Sequence, residues 1–272
     1  MEVAGLIVGG VSLAGIFTAC VDCFEYVQFG RQFGRNYQTA ILKLDLIKLR
    51  LCRWADAVST PSKHASVGSE AEAAKVKEVL GQIIYLFEET ERTSKKFKTS
   101  EGRTDTHSVA DLDADIESIH LKMKNLALKR QKRSSFTPKA SWALFEEKYF
   151  NRLIEDVDPL VRDLVEMFPA AKEEQQKLSV EEAQQLQNEQ GIATLQDAND
   201  GQDDLLRESI AQALASKGRH RFVGNVTKGD IRVTFGNTFD GMLPITTGAG
   251  SLYKNNEASG NAIVHYGNHY YG

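Results

Sequence analysis

The sequence repeats itself once near its C-terminal end. Residues 229–239, with the sequence GDIRVTFGNTF, are echoed 31 residues later by residues 260–270, GNAIVHYGNHY. Apolar and polar residues alternate in both copies, which predicts a β-strand. The Gly-Asn pair that follows each strand predicts a tight corner. Two such units can stack on one another and, through an open edge, on further copies of the chain. The repeat therefore predicts self-assembly.

Composition divides the chain at about residue 217. Ten of the last 56 residues are glycine, and asparagine and aromatic residues become frequent there. A tail of this kind cannot bury a core of its own, so we predict that it is disordered in a monomer. Residues 1–216 carry helical patterns instead and predict an all-α globular domain. The tail, 217–272, holds the two repeats at about 220–240 and 251–271.

The apolar residues of the two repeats predict a dry interior in the stacked tail. The side chains expected there are Val226, Ile231, Val233, Phe235, Ile263, Val264 and Tyr266. The corners are expected at Gly236, Asn237, Gly267 and Asn268, where the two asparagines would form an amide ladder. The alternative is a disordered Gly- and aromatic-rich linker that binds partners weakly. A repeat by position, rather than composition alone, favours the stacked structure.

The N-terminal segment is a second candidate site, because residues 3–21 are nineteen in a row without a charge. That length is near the ~20 residues that cross a bilayer. Its candidate membrane-inserting residues are Leu6, Ile7, Val8, Leu13, Ile16 and Phe17. Glycines at four-residue spacing also suit close helix packing. The segment fits either a helix buried in a soluble bundle or a marginal membrane helix, and composition alone favours the buried one.

Apolar periodicity predicts the remaining helices. Helices are expected at 37–58, from a capping box at Ser69 and Glu72, along 112–126, through 142–145 after Pro138, over 153–168 and at 205–216. Residues 173–188 predict a weak, solvent-facing helix, and residues 197–204 predict a linker.

A basic cluster lies between residues 122 and 139, where seven lysines and arginines occur without an acid. A solvated helix face is the common explanation for such a run, and attraction to anionic lipid headgroups is the functional alternative. The candidate headgroup contacts are Lys129, Arg130, Lys132 and Arg133. Nucleic-acid binding is not expected, because aromatic residues are not interleaved with the basic ones.

No set of residues predicts catalysis, a cofactor or a metal site. The histidines are scattered, and the chain has no phosphate-binding loop or nucleophile elbow. Cys20 and Cys23 form a C-x-x-C pair that suits a redox site or half of a metal site. No second pair completes such a site, and two small apolar residues one helical turn apart are the simpler interpretation. We therefore do not expect an enzyme.

Several stretches of the helical part of the chain stand out as motifs: residues 20–35 (CVDCFEYVQFGRQFGR), Leu42-x-Leu44-Asp45, Arg53-Trp54, residues 129–133 (KRQKR), residues 142–145 (WALF) and residues 166–169 (EMFP). Together they resemble the HeLo domain of fungal HET-s-type incompatibility proteins. The tail is similar to the prion-forming region of the same family, which carries two pseudo-repeats. One departure is that ladders of opposite charge between the repeats are mostly absent: Lys228 faces Ser259, and Lys254 faces Val223.

The resemblance implies a cell-death device made of two parts. The tail would form an amyloid β-solenoid with two rungs per molecule. Assembly of the tail would destabilise the helical domain. The template for assembly would be the tail of another copy, a homologous prion tail or a receptor with a matching motif. The N-terminal segment would then permeabilise membranes. This implies a cytoplasmic protein that moves to the cell membrane and contacts lipids on activation. The alternative is a non-toxic prion or interaction protein that co-assembles through the tail.

Overall fold

Eight α-helices form the N-terminal part of the chain, counted over the residues that the structure describes. A computed structural model describes residues 7–8, 11–30, 36–59, 69–101, 106–107, 111–132, 141–187, 190–216, 221–223, 226–230, 232–235, 238–240, 252–254, 257–266 and 269–271. The helices are α1 (Leu13–Tyr26), α2 (Asn36–Ser59), α3 (Glu70–Glu101), α4 (Ala114–Gln131), α5 (Glu147–Met167), α6 (Lys172–Leu186), α7 (Ile192–Ala198) and α8 (Asp204–Ser216). The prediction of a helical domain is confirmed.

Helix α2 lies at the centre of the helical domain. Every residue from Leu44 to Trp54 is buried, so the helix is covered on all sides. Such burial is typical of a central helix rather than an amphipathic surface helix. Helices α1, α4, α5, α6 and α7 all contact α2, while α3 packs against α1 and α5.

The start of α3 and the positions of α2 and α8 agree with the predictions from local sequence signals. The capping box before α3 is formed as expected: the Ser69 backbone N–H donates to the Glu72 carboxylate, and the Glu72 N–H donates to Ser69 Oγ, each at 3.1 Å. Helix α2 covers the predicted 37–58, and α8 covers the predicted 205–216.

The prediction of a helix through residues 142–145 is wrong. Trp142–Leu144 is a strand, β4, which pairs in parallel with β3 (Val27–Phe29). Trp142 and Leu144 are buried while Ala143 between them is half-buried, a period of two that belongs to a strand. The backbone N–H of Gly30 extends the pairing by donating to the Leu144 carbonyl at 2.8 Å.

The N-terminal segment is not one helix over residues 3–21. Ile7–Val8 (β1) and Val11–Ser12 (β2) pair in antiparallel fashion, and α1 begins only at Leu13. Ser12 ends the strand and caps the helix, because its hydroxyl accepts the Gly15 N–H at 3.1 Å. Within the described residues, no helix combines the length and apolar character that crossing a bilayer requires.

Two polar segments near the end of the helical domain are buried in part, where the sequence predicts exposure. Helix α6 ends at Leu186 within the predicted 173–188, and one of its faces is exposed while Gln175, Ser179 and Glu182 are buried on the other. The predicted linker at 197–204 contains the end of α7 and a turn in which Asp203 is only 2% exposed. Both segments pack because the domain interior supplies partners for their polar groups.

The tail consists of strands that pair in parallel at an offset of 31 residues. The strands are β5 (Arg221–Val223), β6 (Val226–Lys228), β7 (Arg232–Phe235), β8 (Thr238–Asp240), β9 (Leu252–Lys254), β10 (Glu257–Ser259), β11 (Ile263–Tyr266) and β12 (His269–Tyr271). β5 pairs with β9, β6 with β10, β7 with β11 and β8 with β12. Each strand of the first repeat thus lies beside its counterpart in the second.

A glycine turn at the same place in both repeats fixes this register. Gly229 and Gly260 both have positive φ, 94° and 80°, a conformation that favours glycine. The Gly229 N–H donates to the Ser259 carbonyl at 3.0 Å. A Cβ on Gly260 would lie 3.1 Å from the Gly229 nitrogen, so the stacked turns also leave little space for a side chain.

Two residues predicted for the tail interior are exposed in this chain. Val226 is 57% exposed and Ile263 is 56% exposed, whereas Thr227 is buried. Neighbouring residues of a strand point to opposite faces, so Ile263 and Val264 cannot both face one interior. Val264 and its partner Val233 are the half-buried ones. In the single chain Val226 and Ile263 therefore do not lie in an interior, and their place in the assembled tail stays a prediction.

The chain forms two compact units, Met1–Ile210 and Ala211–Gly272. The boundary between them falls inside α8, which is therefore shared: its first half belongs to the helical unit, and its second half leads into the tail.

Candidate functional site: a buried ionic network and the segments it controls

Four charged side chains occur within the buried stretch of α2. Asp45, Lys48, Arg50 and Arg53 are all less than a tenth exposed. A charge that leaves water without a partner is strongly unfavourable, so each needs opposite charges close by. These four residues organise two ionic clusters, one at each end of the buried part of α2.

The first cluster surrounds Arg53, whose side chain is 0% exposed. Its Nη1 donates to the Glu182 carboxylate of α6 at 2.7 Å, and its Nη2 donates to Asp203 at 2.5 Å. Arg130 of α4 donates to the other Glu182 oxygen at 3.1 Å. Burial raises the pKa of Glu182, and the two guanidinium groups oppose that rise. A single carboxylate therefore joins α2, α4 and α6.

The second half of this cluster holds residues 199–203, which we call the clamped turn. Arg50 donates to the Gln202 carbonyl and, at 2.7 Å, to the Asp158 carboxylate. Arg162 donates to the Gly201 carbonyl at 3.0 Å. Asn199 accepts the Asp203 N–H at 2.8 Å. Three arginines, counting Arg53, thus bind a turn of five residues between α7 and α8.

The other cluster surrounds Asp45 and Lys48 and reaches α1 and α4. Lys48 donates to Glu25 of α1 at 2.6 Å and to Asp45 at 3.0 Å. His120 Nδ1 lies 2.6 Å from Asp45 Oδ2, and Lys124 Nζ lies 2.7 Å from Glu25. This Asp45–Lys48 cluster fixes the second half of α1 to the core, and the first half of that helix belongs to the N-terminal segment.

The charges in this cluster shift the pKa values of its carboxyl groups. Burial raises the pKa of Asp45, but His120 and Lys48 outweigh burial and lower it. The pKa of Glu25 is lowered in the same way by Lys48 and Lys124. A carboxyl with a lowered folded-state pKa contributes stability above its unfolded pKa, and that contribution is lost as pH falls through the folded pKa.

We expect Asp45→Asn to flatten the acid side of the stability curve. The wild type should lose stability as pH falls below about 4, the ordinary range of aspartate, and the variant should lose less. Urea unfolding between pH 7 and pH 3.5 measures the slope. Glu182 has a raised pKa, so its contribution to stability changes with pH in the opposite direction. That contribution is the same in the wild type and in Asp45→Asn. Asp163→Asn, at an exposed site on α5, should keep the wild-type slope. Equal slopes in all three proteins would contradict the assignment.

The structure describes five of the six residues predicted for membrane insertion. Leu13, Ile16 and Phe17 are half-buried in the first turns of α1. Full burial along α1 begins only at Cys20. Ile7 and Val8 form β1, and Leu6 lies outside the described residues. The first half of α1 is thus less covered than its second half.

The basic cluster divides into structural and surface residues. Arg130 is buried and bound to Glu182, so it is not available for the lipid contact predicted from the sequence. Lys129 and Lys132 are accessible to solvent, and Arg133 lies outside the described residues. Lys129 lines a groove of about 390 Å³ between α4 and α6 together with Ser118, Leu121, Lys122, Asn125, Leu126 and Gln185. This outward face carries lysines and an exposed leucine but no carboxylate.

The three cysteines, all within the described residues, lie in the helical domain and are not joined by disulfide bonds. Cys20 and Cys52 are buried, and Cys23 is half-buried. Burial raises the pKa of Cys20, with Cys23 and Cys52 adding to the rise, which keeps the thiol protonated and weakens it as a nucleophile or ligand. Their position favours a role in packing.

The tail brings the predicted core residues together in pairs. Val233 pairs with Val264, and Phe235 pairs with Tyr266. Ile231 and the corner residues Gly236, Asn237, Gly267 and Asn268 lie outside the described residues. The register also places Lys228 beside Ser259 and Val223 beside Lys254, as the sequence predicts, so these two pairs contain no opposite charges.

Comparison with known proteins identifies the family. The model of the HeLo family, described as prion-inhibition and propagation, matches residues 5–195. The chain belongs to the HeLo family. It is 33% identical over 242 residues to heterokaryon incompatibility protein s of Podospora anserina, covering 87% of this chain and 83% of that protein. It is 33% identical over 238 residues to protein S of the same species, covering 85% and 82%.

Solved structures of HeLo domains share the helical fold. The HET-S N-terminal domain matches with a TM-score of 0.67 and 32% identity, covering 75% of this chain and 94% of that one. A doubly substituted HET-s N-terminal domain matches with a TM-score of 0.66 and 30% identity, covering 74% and 97%. The resemblance inferred from residues 20–35 and the other motifs is confirmed.

Sequence reasoning missed the ionic network. The signal available was the placement of Arg50 and Arg53 on a helix whose other residues are largely apolar, because such charges require buried partners. Their partners Asp158, Glu182 and Asp203 lie more than a hundred residues away in sequence, so periodicity does not reveal them.

Proposed function

We propose that this HeLo protein is an amyloid-controlled cell-death effector in fungal heterokaryon incompatibility. Assembly of the tail would open the helical domain, expose the N-terminal segment and permeabilise membranes. The parallel pairing of the two repeats at a constant 31-residue offset carries the proposal, since a stack with this register repeats naturally from one molecule to the next. The names of the two Podospora relatives support the biological setting.

The N-terminal segment suits the role of a releasable element. Its strands β1 and β2 pair with each other, and the first turns of α1 are only half-buried, while the Asp45–Lys48 cluster holds α1 near its C-terminal end at Glu25. A switch needs an element with two sites of similar free energy. Apolar residues that are incompletely covered in water gain more from a bilayer than residues packed in a core.

Partners and location follow from this mechanism. The protein would bind its own copies through the tail, a homologous prion tail, or a receptor with a matching motif. It would be cytoplasmic while soluble and reach the cell membrane on activation. The outward lysines Lys129 and Lys132 would contact anionic headgroups, each contributing about 1 kcal/mol near a charged surface. The role requires no catalytic group or cofactor.

We expect Leu13→Lys to abolish membrane leakage. A lysine at the bilayer centre costs ~2.5–3.5 kcal/mol, which corresponds to about a hundredfold less insertion. Because Leu13 is only half-buried, the lysine can reach water and the resting domain should fold, as circular dichroism would show. The measurement is dye release from phosphatidylserine-containing vesicles after full-length protein is seeded with its own fibres.

Tyr85→Lys is the matched control, because it adds the same charge at an exposed apolar residue of α3. It should leak dye like the wild type. A folded Leu13→Lys protein that still releases dye would show that another element is membrane-active. Wild-type fibres that release no dye at all would favour the non-toxic interaction protein instead.

A further inference from the structure

The clamped turn belongs to the helical unit and precedes α8, the helix that contains the boundary with the tail. It lies immediately before α8, and α8 ends at Ser216, five residues before the first tail strand begins at Arg221. The clamped turn is therefore joined to the tail through α8 alone along the chain, although α8 also contacts α6 at Ser209. The same turn is bound to the central helix by Arg50 and Arg53.

Asp203 has two functions in the clamped turn. Its Oδ1 accepts the Leu206 N–H at 3.2 Å, which caps the N-terminus of α8. Its Oδ2 accepts a hydrogen bond from Arg53 at 2.5 Å, inside the core. One carboxylate thus holds the first turn of α8 and the central helix at once, and it is almost fully buried while doing so.

We propose that Asp203 couples α8 to the core, so that loosening α8 removes the carboxylate from Arg53. The tail's control over the domain, as given under the proposed function, would act through this residue. Once Asp203 leaves, Arg53 keeps only the carboxylate of Glu182, which it shares with Arg130, while Arg130 also binds Glu181 and Asp56. A fully buried guanidinium that loses one of its two carboxylate partners is unfavourable, so contacts between α2 and α6 weaken in turn.

A purely stabilising ion pair would behave differently from a coupling residue. Removing it would weaken the domain, but the effect would add to that of any independent change in α8. Coupling requires that a change in α8 affects α2 only while Asp203 is charged. Non-additivity between the two sites therefore separates the two roles.

The test is a double-mutant cycle read by hydrogen exchange on the full-length protein. Gln212→Gly loosens α8 at an exposed position, by less than the roughly fivefold that glycine costs a helix relative to alanine. Asp203→Asn removes the charge and keeps a good cap, because asparagine caps helices as well as aspartate does. Gln212→Gly should speed exchange of the α2 amides around Arg53 by up to about fivefold in the wild type and leave them unchanged in the Asp203→Asn background.

Asp204→Asn is the control for charge at the same helix end. Asp204 is exposed and pairs with Arg207, so the full effect of Gln212→Gly on α2 should remain in this background. Equal effects of Gln212→Gly in the wild-type and Asp203→Asn backgrounds would overturn the proposal. If Asp203→Asn fails to fold, Arg53→Lys keeps the charge but loses the two-armed guanidinium. An undiminished effect of Gln212→Gly in folded Arg53→Lys would overturn the proposal equally.

Seeding with fibres of the full-length protein gives the second arm. Assembly should speed hydrogen exchange of the α2 amides in the wild type and in Asp204→Asn. In Asp203→Asn the rate of exchange should be the same before and after assembly. Dye release is recorded in parallel. Intact coupling without any leakage would contradict the proposed function and leave the role of Asp203 standing. Dye release together with a full increase of α2 exchange in Asp203→Asn would contradict the role of Asp203 and leave the proposed function standing.

Discussion

Replacing Arg53 with methionine should cost the helical domain about 3–5 kcal/mol of its free energy of unfolding. Methionine fills much of the space but leaves Glu182 and Asp203 as buried carboxylates without their main partner. Domains of this kind are typically stable by only about 5–15 kcal/mol, so the loss is a large share of the total and the midpoint of urea unfolding should fall clearly below that of the wild type. Urea unfolding followed by circular dichroism measures the change.

The control for this prediction is Arg207→Met on α8. Arg207 is accessible to solvent and binds the exposed acids Asp200 and Asp204, a setting in which an ion pair contributes about 1 kcal/mol or less. Adding Asp203→Asn to Arg53→Met should recover part of the loss, because the variant then buries one less unpaired charge. Equal stabilities of the Arg53 and Arg207 variants would show that the ionic network does not hold the fold.

Proline at Val233 should abolish assembly through the tail. Val233 lies inside β7 and pairs with Val264 of β11. Proline removes the backbone donor at this position, and its ring disfavours continued strand pairing on either side in a stack. Full-length Val233→Pro should therefore form no sedimenting fibres over days under conditions in which the wild type assembles. The thermal unfolding of the helical domain should not change, since Val233 belongs to the other compact unit.

Met242→Pro is the matched control, because it places the same residue in the sequence between the two repeats. It should assemble like the wild type and give the ~4.7–4.8 Å reflection of stacked strands. Normal fibre formation by Val233→Pro would mean that the first repeat does not form part of the fibre core.

The elements that sequence predicted well depend on local signals. The tail register follows from matching each residue with its copy, so the pairing of β7 with β11 could be read directly from the repeat. Helix α2 and the start of α3 follow from apolar spacing and the Ser69–Glu72 capping box. These signals work because the structures they specify involve residues close in sequence or similar in type.

The elements that sequence predicted poorly depend on distant partners. Strand β4 forms because Val27–Phe29 provides a backbone to pair with. The three residues of β4 contain no local signal that predicts this distant partner. Helix α6 looks solvent-facing because polar residues are usually exposed, yet Glu182 is buried where Arg53 and Arg130 reach it. The supposed linker before α8 is buried for the same reason. The sequence-based prediction placed polar residues at the surface where they are in fact buried beside charged partners in the core.

The constant offset in the tail places an evolutionary constraint on the gene. A codon gained or lost between residues 241 and 251 leaves both repeats intact, because the paired strands lie on either side of it. A codon gained or lost between β6 and β8 would put later strands one residue out of step with their copies, turning inward side chains outward. We expect natural relatives to vary in length between the repeats while conserving length within each one, so that lineages diverge in this spacer while still recognising one another's fibres.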